Sequence, residues 1–207
     1  MNFYTYARHY GDKILVRGIK DGKRFQYKDD FRPTLFVPSD KPSDYKTIYG
    51  DSVSPMQFET NKEATSFFDR YKDVSNFPIF GQNYYAYQYI TEKYPSDIQW
   101  DASKMAIYSI DIETTSEGGF PNVDSPSEKV LVITLQNNNT KKITTFGLGE
   151  FTPTKETNHL DIEYNGFHTE EQLLESFLTW WEDNCPDVIT GWNSNLFDMP
   201  YLITRTV

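Results

Sequence analysis

Cysteine, histidine, basic charge and long apolar runs are all scarce in this 207-residue sequence. Each shortage narrows what the chain does. A single cysteine, Cys185, excludes an internal disulfide. It precedes Pro186 at a predicted helix end and is expected to be a buried structural thiol. Three histidines and one cysteine leave no His or Cys pair placed for zinc. No stretch of about 18 apolar residues is available to span a bilayer, and the N-terminus lacks the apolar run of a signal peptide. The expectation is a soluble, intracellular protein with no membrane partner. Repeats and low-complexity tracts are absent as well.

The charge is unevenly spread. The whole chain carries 20 basic against 30 acidic residues, a net charge of −10. Residues 1–104 hold 15 Lys and Arg against 14 Asp and Glu, a net of +1; residues 105–207 hold 5 against 16, a net of −11. A basic face that would attract phosphate directly is therefore missing. The second half is acidic either for solubility or because it gathers cations at a site.

Two rhythms of pattern divide the chain. In residues 1–104, Phe3, Tyr4 and Tyr6, then Ile14 to Val16, then Phe25 to Tyr27 predict antiparallel strands, with Asp21-Gly22 as a hairpin turn. Phe31 to Pro38 reads as an edge strand. Thr60 with Glu63 forms a capping-box pattern ahead of Ala64, Phe67, Phe68 and Tyr71 at helical spacing. The tyrosine-rich stretch from Gly81 to Tyr94 reads as sheet, where aromatics either stack bases or pack as half-buried strand residues. This leading domain is α+β. From Met105 onward, strands are predicted at Ala106–Ile110, Val130–Leu135 and Ile143–Phe146, in the order of an antiparallel meander. A helix follows, capped by Thr169 and Gln172, whose apolar face is Leu173, Leu174, Phe177, Leu178 and Trp181. Then come a short strand at Asp187–Gly191 and a last helix from Met199. Alternating strands and helices of this kind belong to the α/β class with a mixed sheet.

Two motifs carry chemistry. In Asp111-Ile112-Glu113, residues two apart on a strand point the same way, so both carboxylates share a face while Ile110 and Ile112 turn to a core. No Lys or Arg occurs from Met105 through Glu128, whereas Asp111, Glu113, Glu117, Asp124 and Glu128 do. A hard divalent cation, Mg²⁺ or Mn²⁺, is the natural counter-charge for such oxygens. The second motif, Trp192 to Asp198, follows directly on the short strand. Asp198, Asn193 and Asn195 all suit a helix cap there. Strand-end loops of an α/β sheet also gather at one end, where they bring such side chains together.

Ser109-Ile110-Asp111-Ile112-Glu113-Thr114 resembles the first exonuclease motif of the family B DNA polymerases, and Gly191-Trp192-Asn193 through Phe197-Asp198-Met199-Pro200-Tyr201 resembles the second. With the opening strands and Ile48-Tyr49-Gly50, the whole chain is similar to the replicative polymerases of T-even-type tailed phages. The resemblance implies an α+β leading domain, 1–104, followed by part of a ribonuclease-H-like 3′-5′ exonuclease domain, 105–207. Its reaction is phosphodiester hydrolysis at the single-stranded 3′ end of a DNA primer. It further implies two divalent metal ions about 4 Å apart: Asp111 bridges them, Glu113 holds the ion that activates the attacking water, and Asp198 supports the other. Asn193, Phe120 and Thr114 are implied to meet the substrate, Asn193 by hydrogen bonding and Phe120 by stacking on the terminal base; Phe197 is expected to pack beneath the site.

The family completes this site with a Tyr and an Asp from a later helix, for which the chain has no counterpart. The resemblance thus implies a fragment with feeble or no nuclease activity by itself. The remainder of the polymerase and a replisome clamp are the partners implied, in the cytoplasm of a bacterial host. Two alternatives stand beside it: a stand-alone exonuclease of the same acidic class, and a non-catalytic nucleic-acid-binding module on a degenerate nuclease fold.

Overall fold

The computed structural model describes residues 2–206. The chain divides after Asp101 into two compact units. Among the described residues, no helix is long and apolar enough to cross a membrane.

The first unit opens with three antiparallel strands, β1 (Asn2–Tyr10), β2 (Lys13–Lys20) and β3 (Lys23–Asp30), in that order across the sheet. Asp21 and Gly22 join the last two with φ of 51° and 76°, the left-handed pair that matches the twist of a two-residue hairpin. A separate two-stranded sheet pairs β4 (Thr34–Pro38) with β5 (Val53–Gln57). The first of these begins later than the sequence pattern suggested, because Pro33 has no N–H to give a ladder. Helix α1 (Asn61–Tyr71) starts where its capping box predicts: the Thr60 hydroxyl accepts the Glu63 amide at 3.1 Å, and the Glu63 carboxylate in return accepts the Glu59 amide at 3.2 Å.

The tyrosine-rich stretch is not sheet. It forms α2 (Tyr85–Lys93), with Tyr85, Ala86 and Tyr89 buried on one face alongside Ile14, Val16, Leu35 and Ala64. Spacings of one and two residues among the tyrosines mimicked a strand, but the pair that matters is Tyr85 and Tyr89, one helical turn apart. A buried phenol needs a partner, and Tyr89 donates to the Asp29 carboxylate at 2.8 Å. These two tyrosines are core, so no platform of stacked bases is built from them.

The second unit is a five-stranded mixed sheet with helices packed on it, the α/β class expected. Its strands are β6 (Ile107–Thr114), β7 (Val130–Asn137), β8 (Ile143–Leu148), β9 (Ile162–Phe167) and β10 (Val188–Thr190), in the spatial order β10-β6-β7-β8-β9. The expected meander is present in β6-β7-β8, antiparallel throughout. The sequence reading missed β9, which lies parallel to β8, while β10 lies parallel to β6. Helix α3 (Glu170–Asn184) is capped by Thr169, whose hydroxyl accepts the Gln172 amide at 3.4 Å. It buries Leu173 and Phe177 fully, at roughly 1.5–3 kcal/mol each. Leu178, counted with that apolar face from spacing alone, stays exposed. Cys185 ends α3 at a φ of 37° and is half-buried rather than buried. Helix α4 (Asp198–Arg205) adds Tyr201 and Leu202 to the same core as Ile110, Ile112, Ile133 and Leu135.

Candidate active site

The strand β6 presents its carboxylates as the alternation requires. Ile110 and Ile112 are buried in the core, whereas Asp111 and Glu113 are exposed. Thr114 follows, half-buried, where the pairing with β7 slips by a residue and meets Val130.

The parallel neighbour β10 covers β6 only from Ile107 to Ser109. Three residues farther along, the Ile112 amide donates instead to the Asp198 carboxylate at 3.0 Å. Asp198 is not the cap of its helix. Phe197 holds the N-cap position without a side-chain bond, and Asp198 sits one residue inside, where the positive end of α4 favours a negative group. The chain reaches this position through a tight turn. Gly191 lies so close to β6 that a Cβ there would stand 2.5 Å from the Ile110 carbonyl oxygen. Asn193 then adopts a φ of 60°, and its carbonyl accepts the Leu196 amide at 2.9 Å and the Phe197 amide at 3.0 Å. Asn tolerates that left-handed conformation better than most residues.

Asp198 is 3% exposed. Burial pushes its carboxyl above the ordinary range and the charge of Asp111 pushes the same way, against the pull of the backbone amides of Asp198 and Ile112. The fold therefore holds two carboxylates, 87 residues apart in sequence, within each other's field, with Glu113 two residues along the same exposed side of β6. Among the described residues, no three side chains of His, Cys, Asp or Glu come together closely enough to form a metal cage. The donor chemistry nonetheless suits a hard cation. Mg²⁺ is held by one or two carboxylates together with substrate phosphates and water rather than by an all-protein cage, and a positive ion beside Asp198 would offset the charge of Asp111 and favour the ionised carboxylate against burial.

With Phe197, the neighbour of Asp198, in the middle, three aromatic rings stand in a row. Phe120, 87% exposed, has its ring centroid 5.5 Å from that of Phe197, which lies 5.5 Å from Tyr201. Phe197 is half-buried against the core, as expected of packing beneath the site. Asn193 and Trp192 are exposed on the turn before it.

Residues 71–207 match the family model described as DNA polymerase family B, exonuclease domain. The chain belongs to that family. Its similarity to the DNA-directed DNA polymerases of two phages extends over 98% of the chain, at 28% identity for Enterobacteria phage T4 and 26% for Escherichia phage RB69. The DNA polymerase catalytic subunit of Human herpesvirus 8 type P (isolate GK18) is 31% identical over 54% of the chain and 11% of its own length. The chain spans about a quarter of the length of the phage relatives. The resemblance read from the two motifs of this family B exonuclease region thus extends into the leading unit.

Two carboxylates of the second unit have roles that the sequence did not show. Glu128 was grouped with the acids that call for a cation, but its carboxylate is an internal acceptor: it takes the Thr115 hydroxyl, the Glu117 amide at 3.2 Å and the Gly118 amide at 2.7 Å. Glu170 receives Arg205 in a two-pronged pair, at 2.9 and 2.6 Å, and the Val130 amide at 2.8 Å. A signal for that pair was available: Arg205 is the only arginine after residue 104, and an arginine fork calls for a carboxylate.

Proposed function

We propose that residues 105–207, which lie within the second unit and follow a leading domain of residues 1–104, are the catalytic part of a 3′-5′ exonuclease that removes the terminal nucleotide of a DNA strand, in the service of a replicative polymerase. The observation that carries this reading is the placement of Asp198 against the Ile112 amide, in the field of Asp111. The energetic cost of bringing those charges together is met by a cation of the kind the reaction needs.

In this reading Asp111, Glu113 and Asp198 hold divalent ions, Mg²⁺ or Mn²⁺, through oxygen. When bound, such ions lower the pKa of a coordinated water and stabilise charge on the leaving oxygen. Thr114 and Asn193 flank the acids and offer hydrogen bonds to the substrate strand, and Phe120 offers its exposed face to the last base. Phe197 supports Phe120 from below. Because the unit is strongly acidic, a DNA end approaches productively only once metal has reversed the local field.

Titration of the chain with Mn²⁺, followed by electron paramagnetic resonance, tests this. Binding is expected to weaken by about tenfold or more when one carboxylate is removed, as in Asp111→Asn or Asp198→Asn, the size of effect that a lost charge-assisted contact gives. In the full-length protein, Mn²⁺-dependent shortening of a 5′-labelled single strand is expected to vanish with Asp111→Ala. Variants that bind Mn²⁺ as the parent does, or shortening that survives Asp111→Ala, would overturn the assignment.

A further inference from the structure

The loop between β6 and β7 carries Phe120 on a backbone that has little to hold it. Gly118 and Gly119 precede the ring, and Gly119 takes a φ of 106° that only glycine adopts readily. Two adjacent glycines make a hinge, yet Phe120 has a defined position over Phe197. The Gly119 amide donates to the Ser116 carbonyl at 3.2 Å, and Glu128 holds the residues just before it. Glu128 is 8% exposed, and a carboxylate so placed is tolerated only when its oxygens are well bonded. One oxygen takes the Gly118 amide; the other takes the Glu117 amide and the Thr115 hydroxyl. Thr115 is itself locked to the base of β7, its amide donating to the Lys129 carbonyl at 2.8 Å and its hydroxyl accepting the Lys129 amide at 2.9 Å. The contact is close: a Cβ at residue 118 would stand 2.9 Å from the Glu128 carboxylate, so a side chain there would push that carboxylate aside.

We propose that Glu128 is a positioning residue for the exonuclease reaction: its carboxylate clamps Glu117 and Gly118 so that Phe120 is presented, exposed and oriented, to the terminal base of a single strand. The inference rests on the nuclease reading above. A loop built only for stability would bury its aromatic residue, whereas this clamp spends a buried carboxylate to hold one out in water.

Two measurements test it. Amide hydrogen exchange reads the clamp: in Glu128→Ala, the Glu117 and Gly118 amides are expected to exchange at least about tenfold faster, with the sheet amides unchanged. Glu128→Gln, which keeps one acceptor oxygen, is expected to fall between. The second measurement is fluorescence quenching of an oligonucleotide ending in 3′ 2-aminopurine, with Ca²⁺ present. Quenching is expected in the parent and lost in Phe120→Ala and Glu128→Ala alike. Gly118→Ala, which displaces the carboxylate without removing its charge, is expected to behave as Glu128→Ala and serves if that variant fails to fold. Unchanged exchange at Gly118 overturns the clamp. Accelerated exchange with parental quenching overturns the positioning role while leaving the nuclease reading intact. Parental quenching in Phe120→Ala overturns the role of Phe120 itself, and the proposal with it.

Discussion

The Tyr201 phenol on α4 donates to the Glu128 carbonyl at 2.6 Å, tying the helix that begins at Asp198 to the foot of the loop that bears Phe120. The bond joins residues 73 apart and is fully buried. Tyr201→Phe keeps the ring and its packing on Phe197 but leaves a buried carbonyl without this donor. The expected cost is about 1–2 kcal/mol, read as a lower urea midpoint at unchanged slope. A midpoint equal to the parent's would mean that water replaces the phenol freely.

Asp198 is expected to oppose folding when no metal is bound. Its folded-state pKa is raised, so stability falls as pH climbs through the ordinary carboxylate range, about 4, up to the raised folded value, and stays lower above it. Asp198→Asn keeps an oxygen for the Ile112 amide while removing the charge. At pH 7 and without divalent ions, it should melt higher than the parent. A lower melting point would show that the carboxylate is stabilised in the fold after all.

Glu170 and Glu128 act in the opposite sense. Burial alone would raise the Glu170 carboxyl, but the Arg205 guanidinium and the Val130 amide outweigh it and hold it below the usual range. The Thr115 hydroxyl and the Gly118 amide do the same for Glu128. Their contributions are present above the ordinary carboxylate pKa and are lost as pH falls through their depressed values. Acid titration monitored by the Arg205 and Gly118 resonances should therefore show both contacts intact at pH 5 and opening only at lower pH. Opening near neutrality would contradict these bonds.

Arg205 also donates to the Pro126 carbonyl at 2.9 Å, so it pins the loop as well as pairing Glu170. Arg205→Ala leaves the buried Glu170 carboxylate without its counter-charge, at an expected cost of about 3 kcal/mol. Glu170→Gln together with Arg205→Ala should recover part of that loss, because no buried charge remains. A double variant no more stable than the single one would argue against desolvation as the cause.

Gly191→Ala is expected to be among the most damaging small substitutions in the second unit. Its methyl would meet the backbone of β6 at Ile110 and cannot be relieved by a side-chain rotation. The turn through Asn193 must then move, and Asp198 with it. Loss of Mn²⁺ binding with only moderate loss of helix signal is the outcome expected; a variant that binds Mn²⁺ like the parent would show that the turn adjusts without moving Asp198.

The apolar-acidic alternation of β6, both capping boxes, the Asp21-Gly22 turn and the β6-β7-β8 meander were legible because each is a local matter: a short side chain on a nearby amide, a left-handed pair, an alternation of apolar and charged residues. Local signals failed where spacing was ambiguous. Tyr84 to Tyr89 fits a strand or a helix until Ala64 and Leu35 supply the core that selects the buried pair. The strand β9 carries no clean alternation and exists as a strand because β8 offers it an open edge. Asp111, Glu113 and Asp198 were named from sequence, but the distance from Asp198 to the Ile112 amide is a property of β10 ending early and of Gly191 fitting beneath it. The use of Glu128 as an internal clamp and the pairing of Glu170 with Arg205 likewise belong to the tertiary structure. Sequence determines which residues carry charge and which local conformations they favour; burial, which decides whether a carboxylate faces a cation, an arginine or a loop of amides, arises only when distant segments share one core.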